Sequence, residues 1–413
     1  MRPRGLLIAL ATAALALGVS ACGSDDSDTK ASSSTGSDTL TIYSSMPLRG
    51  TNGEAERAAS IVNGEKLALA EAGGKAGDYT VKFQSLDSQR KPGTDEPGDV
   101  GDNARRAVAD RSTIAYLGDL DDRSSAISIP ILNQADILQV SPSNTYVGLT
   151  RTENAEPGEP DKYYPSGKRT FGRVIPADHI QGAAQAAYQK DQGCTSTYIV
   201  HGEDVYGSGI ADAVAADLAK ADITVAGNDQ INPRDDDYTS LAEKIKGSGA
   251  DCMFFGGSAS DNAVQLWKDV HAVNPEVKLF GPARLATPDF VEAIGSAGDV
   301  TFLTTPALAP DKYPPAAKKF FADYEKAYGE PAGPDAIFGY EAMKATLQAI
   351  ANAGAKGNDR AAVVDEFFKL SDRDSVLGTY SIDQHGDTTL SDYGGMKVVD
   401  GRLVFDRVIA ANG

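Results

Sequence analysis

The sequence predicts an α/β protein of two lobes, each a doubly wound, mostly parallel sheet flanked by helices. Three observations predict it. Short apolar segments alternate with longer ones whose apolar residues recur at helical spacing. A stretch at 150–173 holding Pro157, Pro160 and Pro165 interrupts this rhythm, which then restarts. The chain has 413 residues, more than one ordinary domain of about 100–200 residues and enough for two.

The first run opens with a strand at 40–43, Leu40-Thr41-Ile42-Tyr43. A helix over 53–72 carries Ala58, Ile61, Val62, Leu69 and Ala72 on one face, and Gly73-Gly74 stops it. A strand at 79–85 leads to a helix at 99–110, and strands at 113–117 and 137–140 enclose a helix that starts near Arg123. The segment 150–173 reads as a long surface excursion. The second run then alternates helix 181–190, strand 197–201, a helix with Ile210, Val214 and Leu218 on one face, strand 223–226, helix 238–246, strand 252–255, helix 262–273 and strand 277–280. Helices at 316–328 and 338–353 and strands at 379–382 and 398–404 are expected to complete the two sheets.

Composition narrows the function classes. The formal charge is −19, and so acidic a surface repels phosphate backbones, which argues against nucleic acid as a partner. Three cysteines and four scattered histidines exclude a dense disulfide scaffold and argue against a zinc-ligand cluster. No Gly-x-Ser-x-Gly elbow, Walker loop or His-Glu-x-x-His motif is present. Asp235-Asp236-Asp237 lacks the alternation of a calcium loop and reads as a solvated helix start. No catalytic residue, cofactor or metal is therefore expected.

The N-terminus reads as an address. Arg2 and Arg4 precede a small apolar stretch at 5–19, too short to span about 30 Å of hydrocarbon. It ends in Val19-Ser20-Ala21-Cys22, which resembles the lipobox of bacterial lipoproteins. That resemblance implies a signal peptide at 1–21, cleavage before Cys22 and a lipid on its sulfur; the alternative is an ordinary secretory signal. The polar segment 22–38 reads as a flexible tether. Such a chain would be held outside the cytoplasmic membrane, where cysteines meet an oxidising compartment.

Four segments, in order, carry a wider resemblance. They are Asn63-Gly64-Glu65-Lys66-Leu67-Ala68-Leu69 with Gly73-Gly74, then Leu138-Gln139-Val140-Ser141-Pro142-Ser143-Asn144-Thr145, then His201-Gly202-Glu203-Asp204-Val205-Tyr206-Gly207-Ser208-Gly209, and Phe254-Phe255-Gly256-Gly257 followed by Phe280-Gly281-Pro282. Together they resemble the branched-chain amino acid binding proteins of ABC importers, which have the type I periplasmic-binding fold. The resemblance covers about residues 40–405. It implies interlobe crossings near 173–176, 304–306 and 373–378, with lobe 1 at 39–174 plus 306–375 and lobe 2 at 175–305 plus 376–413. It also implies a ligand between lobes that close by hinge bending.

The residues themselves point to the same cleft, because open α/β sheets bind ligands beyond the carboxyl ends of their strands. Those ends offer Asp121 and Asp122, Ser141, Ser143 and Thr145 in one lobe and Tyr206, Ser258 and Arg284 in the other. Ser143 and Thr145 match family positions that hydrogen-bond the ligand; the alternative is a Ser-Pro turn with capping hydroxyls. Tyr206 matches a family aromatic; the alternative is an exposed tyrosine opening a helix. The family's glutamate after Gly-Pro, which pairs with the ligand ammonium, is replaced in Gly281-Pro282-Ala283-Arg284, and Ser258 stands where an aromatic is common. Asp121 and Asp122 occupy a hydroxyl position. A bare carboxylate there would repel a ligand carboxylate, since like charges about 4 Å apart cost about 4 kcal/mol at an effective dielectric of about 20. Unless Arg123 or Arg284 neutralises them, the ligand end lodged there should be cationic or a hydrogen-bond donor. The alternative is that an aspartate there caps a helix.

Strand counting adds a covalent expectation. In the usual doubly wound order the strand at 197–201 lies beside that at 252–255, so Cys194 and Cys252 fall at the same end of neighbouring parallel strands. A disulfide is expected; two buried free thiols are the alternative. The function expected overall is an extracytoplasmic, leucine-binding-like lipoprotein. It would capture a small polar ligand and deliver it to an ABC permease and its ATPase. A sensor docking on a receptor and a secreted α/β enzyme are the alternatives.

Overall fold

The computed structural model describes residues 37–50, 53–89, 98–153, 155–203 and 205–411. The leader, Cys22 and most of the tether lie outside the described residues.

The first sheet has the order β2-β3-β1-β4-β5-β6. Its strands are β1 Thr39–Met46, β2 Lys75–Ala76, β3 Tyr79–Asp87, β4 Thr113–Gly118, β5 Leu138–Ser141 and β6 Phe171–Arg173. All neighbours are parallel except β2 with β3. β4 and β5 are buried along their whole length, as strands covered by helices on both faces must be. The covering helices are α1 Glu54–Glu71, α2 Gly98–Ala109 and α3 Asp122–Asn133. The second sheet, β15-β14-β11-β10-β9-β7-β8, follows the same plan. Its strands are β7 Ser196–His201, β8 Thr224–Gln230, β9 Cys252–Gly256, β10 Lys278–Gly281, β11 Thr301–Thr305, β14 Asp392–Val399 and β15 Arg402–Ala410. They pack with α4 Asp178–Asp191, α5 Val205–Lys220, α6 Thr239–Ser248, α7 Ala263–Val273 and α8 Pro288–Ile294.

Three later helices, α9 Pro315–Tyr328, α10 Ala336–Asn352 and α11 Arg360–Phe367, return to the first lobe, where their apolar residues join those of β1, β4 and β5 in one core. α1 and α10 cross with their backbones nearly touching. A Cβ on Gly64 would lie 2.2 Å from the Ala336 carbonyl oxygen, and one on Gly339 2.3 Å from that of Ile61. Only glycine permits this approach.

The chain passes between lobes after Ile175, after Thr305, and between Leu390 and Asp392. The last passage comes later than 373–378, because Val376, Leu377, Tyr380 and Ile382 are still buried in the first core. In the second lobe β7 lies between β9 and β8. Cys194, just before β7, is joined to Cys252 at the start of β9, with S–S 1.93 Å and Cα–Cα 5.9 Å.

Several elements differ from expectation. The segment 150–173 is no simple surface excursion. Tyr163, Tyr164 and Phe171 are buried against Ile129, Tyr146 and Leu149, and β6 is the last strand of the first sheet. Its prolines and charges mask three buried aromatics. Thr379–Tyr380 (β13) completes neither sheet; it pairs with Arg373–Asp374 (β12) in a separate ribbon. The strand expected at 398–404 is a hairpin turning at Asp400 and Gly401, both with positive φ, as an Asp-Gly turn between strands requires.

Candidate functional site

The carboxyl ends of both sheets meet around Asp122. Asp121 is the N-cap of α3: its carboxylate accepts from the Ser124 amide at 2.9 Å and from the Ser124 hydroxyl at 2.6 Å. Asp122, one residue on, turns into the interior. Its Oδ1 accepts from the amides of Thr145 (3.0 Å) and Tyr146 (3.1 Å). Its Oδ2 accepts from Arg284 Nη2 of the other lobe at 2.5 Å. The Arg284 guanidinium lies 3.6 Å from the centroid of the buried Tyr206 ring, a cation–π seat. The structure thus brings Asp122, Thr145, Tyr206 and Arg284 together. Arg284 neutralises Asp122, so the repulsion expected of a bare carboxylate does not arise there.

The other expected residues are engaged locally. Ser141 Oγ accepts from the amides of Ser143 (3.2 Å) and Asn144 (2.9 Å), which shapes the loop after β5. Ser143 Oγ donates to the Leu120 carbonyl at 2.6 Å and fastens that loop to the one after β4. Ser258 donates to Asp261 through its amide (2.6 Å) and hydroxyl (2.8 Å) in a capping box.

Sequence reasoning missed Asp178, the first residue of α4. Its amide donates to the Thr145 carbonyl at 2.8 Å, and its carboxylate accepts from Gln181 at 3.1 Å. Burial, then the neighbouring Asp122 charge, raises its pKa to about 6, while Arg284 and the Thr145 hydroxyl oppose the rise. An aspartate at a helix start reads as a solvated cap, so no sequence signal marked its burial.

Also missed was the ionic cluster at the first interlobe passage. Arg173 is fully buried. It donates to Asp387 (2.8 Å), to the carbonyls of Asn144 (3.1 Å) and Tyr146 (3.0 Å), and to Thr150 Oγ1 (2.6 Å). Arg151 pairs with Asp387 at 2.6 Å and with Asp383. Burial alone would raise the Asp387 pKa; the Arg173 and Arg151 charges outweigh it and hold it at about 2. Burial and these same cations push His179 down to about 4, so it is neutral. The loop 144–146 is therefore held by its carbonyls through Arg173 and by its amides through Asp122.

Beneath the loop, Asp119 is fully buried and accepts from Ser128 Oγ at 2.6 Å and Tyr116 at 3.2 Å. Burial lifts its pKa to about 7. Among the described residues the metal-ligand cluster that emerges is Cys194, Asp251 and Cys252, and its sulfurs are bonded to each other. No described helix is long and apolar enough to cross a membrane. The strand ends of the two lobes thus meet in amides, hydroxyls, a stacked cation and buried carboxylates, group types that recognise small polar molecules.

Residues 45–402 match the family model described as periplasmic binding protein. The Leu/Ile/Val-binding protein homolog 3 of Brucella melitensis is 26% identical over 358 residues, 85% of this chain and 86% of that protein. An amino acid binding protein of Pseudomonas aeruginosa is 25% identical over 352 residues, 84% of this chain and 83% of that one. Among solved structures, an ABC transporter substrate-binding protein from Desulfitobacterium hafniense in complex with Leu superposes with a TM-score of 0.73 at 20% identity, covering 89% of this chain and 100% of that one.

Proposed function

Because the chain belongs to the periplasmic binding protein family, a family of substrate-binding proteins rather than enzymes, we propose that it is the solute-binding lipoprotein of an ABC importer. It captures a small polar ligand, an amino acid or related compound, between its lobes by hinge closure and presents it to the permease and its ATPase. The observation that carries this reading is the meeting of strand-end loops from both sheets at Asp122, Thr145, Tyr206 and Arg284. Relatives named for Leu/Ile/Val and for amino acids put those compounds at the head of any screen. Ala283 and Arg284 at the Gly-Pro turn extend the search to amides, polyamines and small acids. A thermal-shift panel tests the reading: a true ligand at about 100 times its dissociation constant adds about 2.7 kcal/mol. Turnover of a panel compound with no stoichiometric binding would contradict it.

The lipobox-like Val19-Ser20-Ala21-Cys22 and the polar segment behind it support a lipid anchor on the outer face of the cytoplasmic membrane. Cys22→Ser is expected to release the protein from the membrane fraction or leave it unprocessed. A wild-type product that is free of membrane and cut elsewhere would overturn the anchor.

A further inference from the structure

Asp122 opens α3 in the first lobe, and Arg284 lies in the turn after β10 in the second. Their ion pair therefore joins the lobes across the cleft. Each partner is preset by its own lobe. Asp122 is fixed by two amides of the loop after β5. Arg284 is seated over the ring of Tyr206, whose helix α5 belongs to the same lobe as the arginine. Preset partners lose little side-chain freedom on meeting, which removes the usual reason that exposed ion pairs contribute nothing. Asp122 is nearly buried, at 10% side-chain exposure, and Arg284 retains 35%. Asp178 adds a second carboxylate within electrostatic reach of both.

From this geometry we infer that Arg284 is a closing latch. It pairs with Asp122 only when the lobes meet, and so biases the open–closed equilibrium toward closure whatever the ligand. The inference rests on the hinge closure proposed above. A contact made only in the closed state raises the apparent affinity of every ligand that binds that state by the same factor, because apparent affinity scales with the competent fraction. A residue that instead touched the ligand would affect ligands unequally. Arg284 is thus a positioning residue of the lobes rather than a reader of ligand chemistry.

Small-angle scattering on the purified, ligand-free chain tests this. Arg284→Gln is expected to lower the closed-to-open ratio about tenfold or more, the scale of a charge-assisted hydrogen bond, and to raise the radius of gyration. Salt at 0.5 M should expand the wild type toward the variant's value and leave the variant unchanged. Lys220→Gln, which removes an ion pair with Asp217 inside α5, should leave the scattering as it was. Identical radii for wild type and Arg284→Gln at both salt concentrations would overturn the latch. Titration with L-leucine, leucinamide and 4-methylpentanoate gives a second readout. A common loss factor in Arg284→Gln for each compound that binds supports the latch, whereas a loss confined to compounds bearing a carboxylate overturns it in favour of direct contact. Failure of every panel compound to bind or compact either protein would sink the solute-binding reading instead, while the ligand-free comparison still decides the latch.

Discussion

Replacing Arg173 with methionine is expected to lower the free energy of unfolding by about 3–5 kcal/mol, the range for breaking a buried ion pair by removing one partner. Methionine fills much of the volume and supplies none of the donors. The carbonyls of Asn144 and Tyr146 lose their bonds to the guanidinium, and Asp387 keeps only Arg151 beside it. Loop 144–146 would then keep its bonds to Asp122, Ser141 and Asp178 but lose the guanidinium that holds its first and last carbonyls, so ligand affinity should fall as well as stability. Urea melts of wild type and variant measure the first effect, and titration with a panel ligand the second. An unchanged midpoint would show that the buried cation is not needed to hold the passage between lobes.

The second large effect is a dependence of stability on pH. Glu65 faces the first core from α1 with no exposure, and neither carboxyl oxygen has a hydrogen-bond partner; nor has the nearby Ser44 Oγ. Burial raises its pKa from 4.5 to about 8; the Ser44 hydroxyl, close by but outside hydrogen-bond geometry, and the Lys66 charge ease the rise only in part. The folded protein therefore keeps the proton that the unfolded chain releases above about 4.5. Stability from this group is fully present below that value and is lost as pH rises through about 8. At about 1.4 kcal/mol per pH unit the loss reaches about 5 kcal/mol. Glu65→Gln, which cannot ionise, should remove that part of the slope and be the more stable protein at pH 8. Asp119 and Asp178, raised to about 7 and about 6, act in the same direction and persist in both proteins. The difference between the two stability–pH curves therefore isolates Glu65, and parallel curves would contradict its burial as a neutral acid.

Much of the fold was legible because parallel strands buried on both faces read as unbroken apolar runs, as at Ile114–Leu117 and Met253–Phe255. β11 was not legible. Its residues are Thr301-Phe302-Leu303-Thr304-Thr305, and two of its threonines are buried because their hydroxyls find partners. Thr301 accepts from Trp267 Nε1, and Thr304 from Gln185. Nor can a charged residue such as Arg173 be recognised as core from its own chemistry, since its burial depends on Asp387, 214 positions away. The site shows the same division. Asp122, Thr145, Tyr206 and Arg284 were legible as loop positions at strand carboxyl ends, which topology alone brings toward a cleft. What each would bond to was not. Asp121 and Asp122 are adjacent in sequence, yet one caps its own helix and the other reaches across the cleft, a difference set by the direction of the helix start.

The most direct test of the central claim is a crystal structure of the chain grown with a compound that raises its melting temperature in the panel. The expected result is one ligand per chain, enclosed between the two lobes beside the Asp122–Arg284 ion pair, with that pair intact. It would be contradicted by that compound lying outside the cleft, for example in the cavity of about 190 Å³ behind the interlobe passages, lined by Pro176, Pro306 and Leu390.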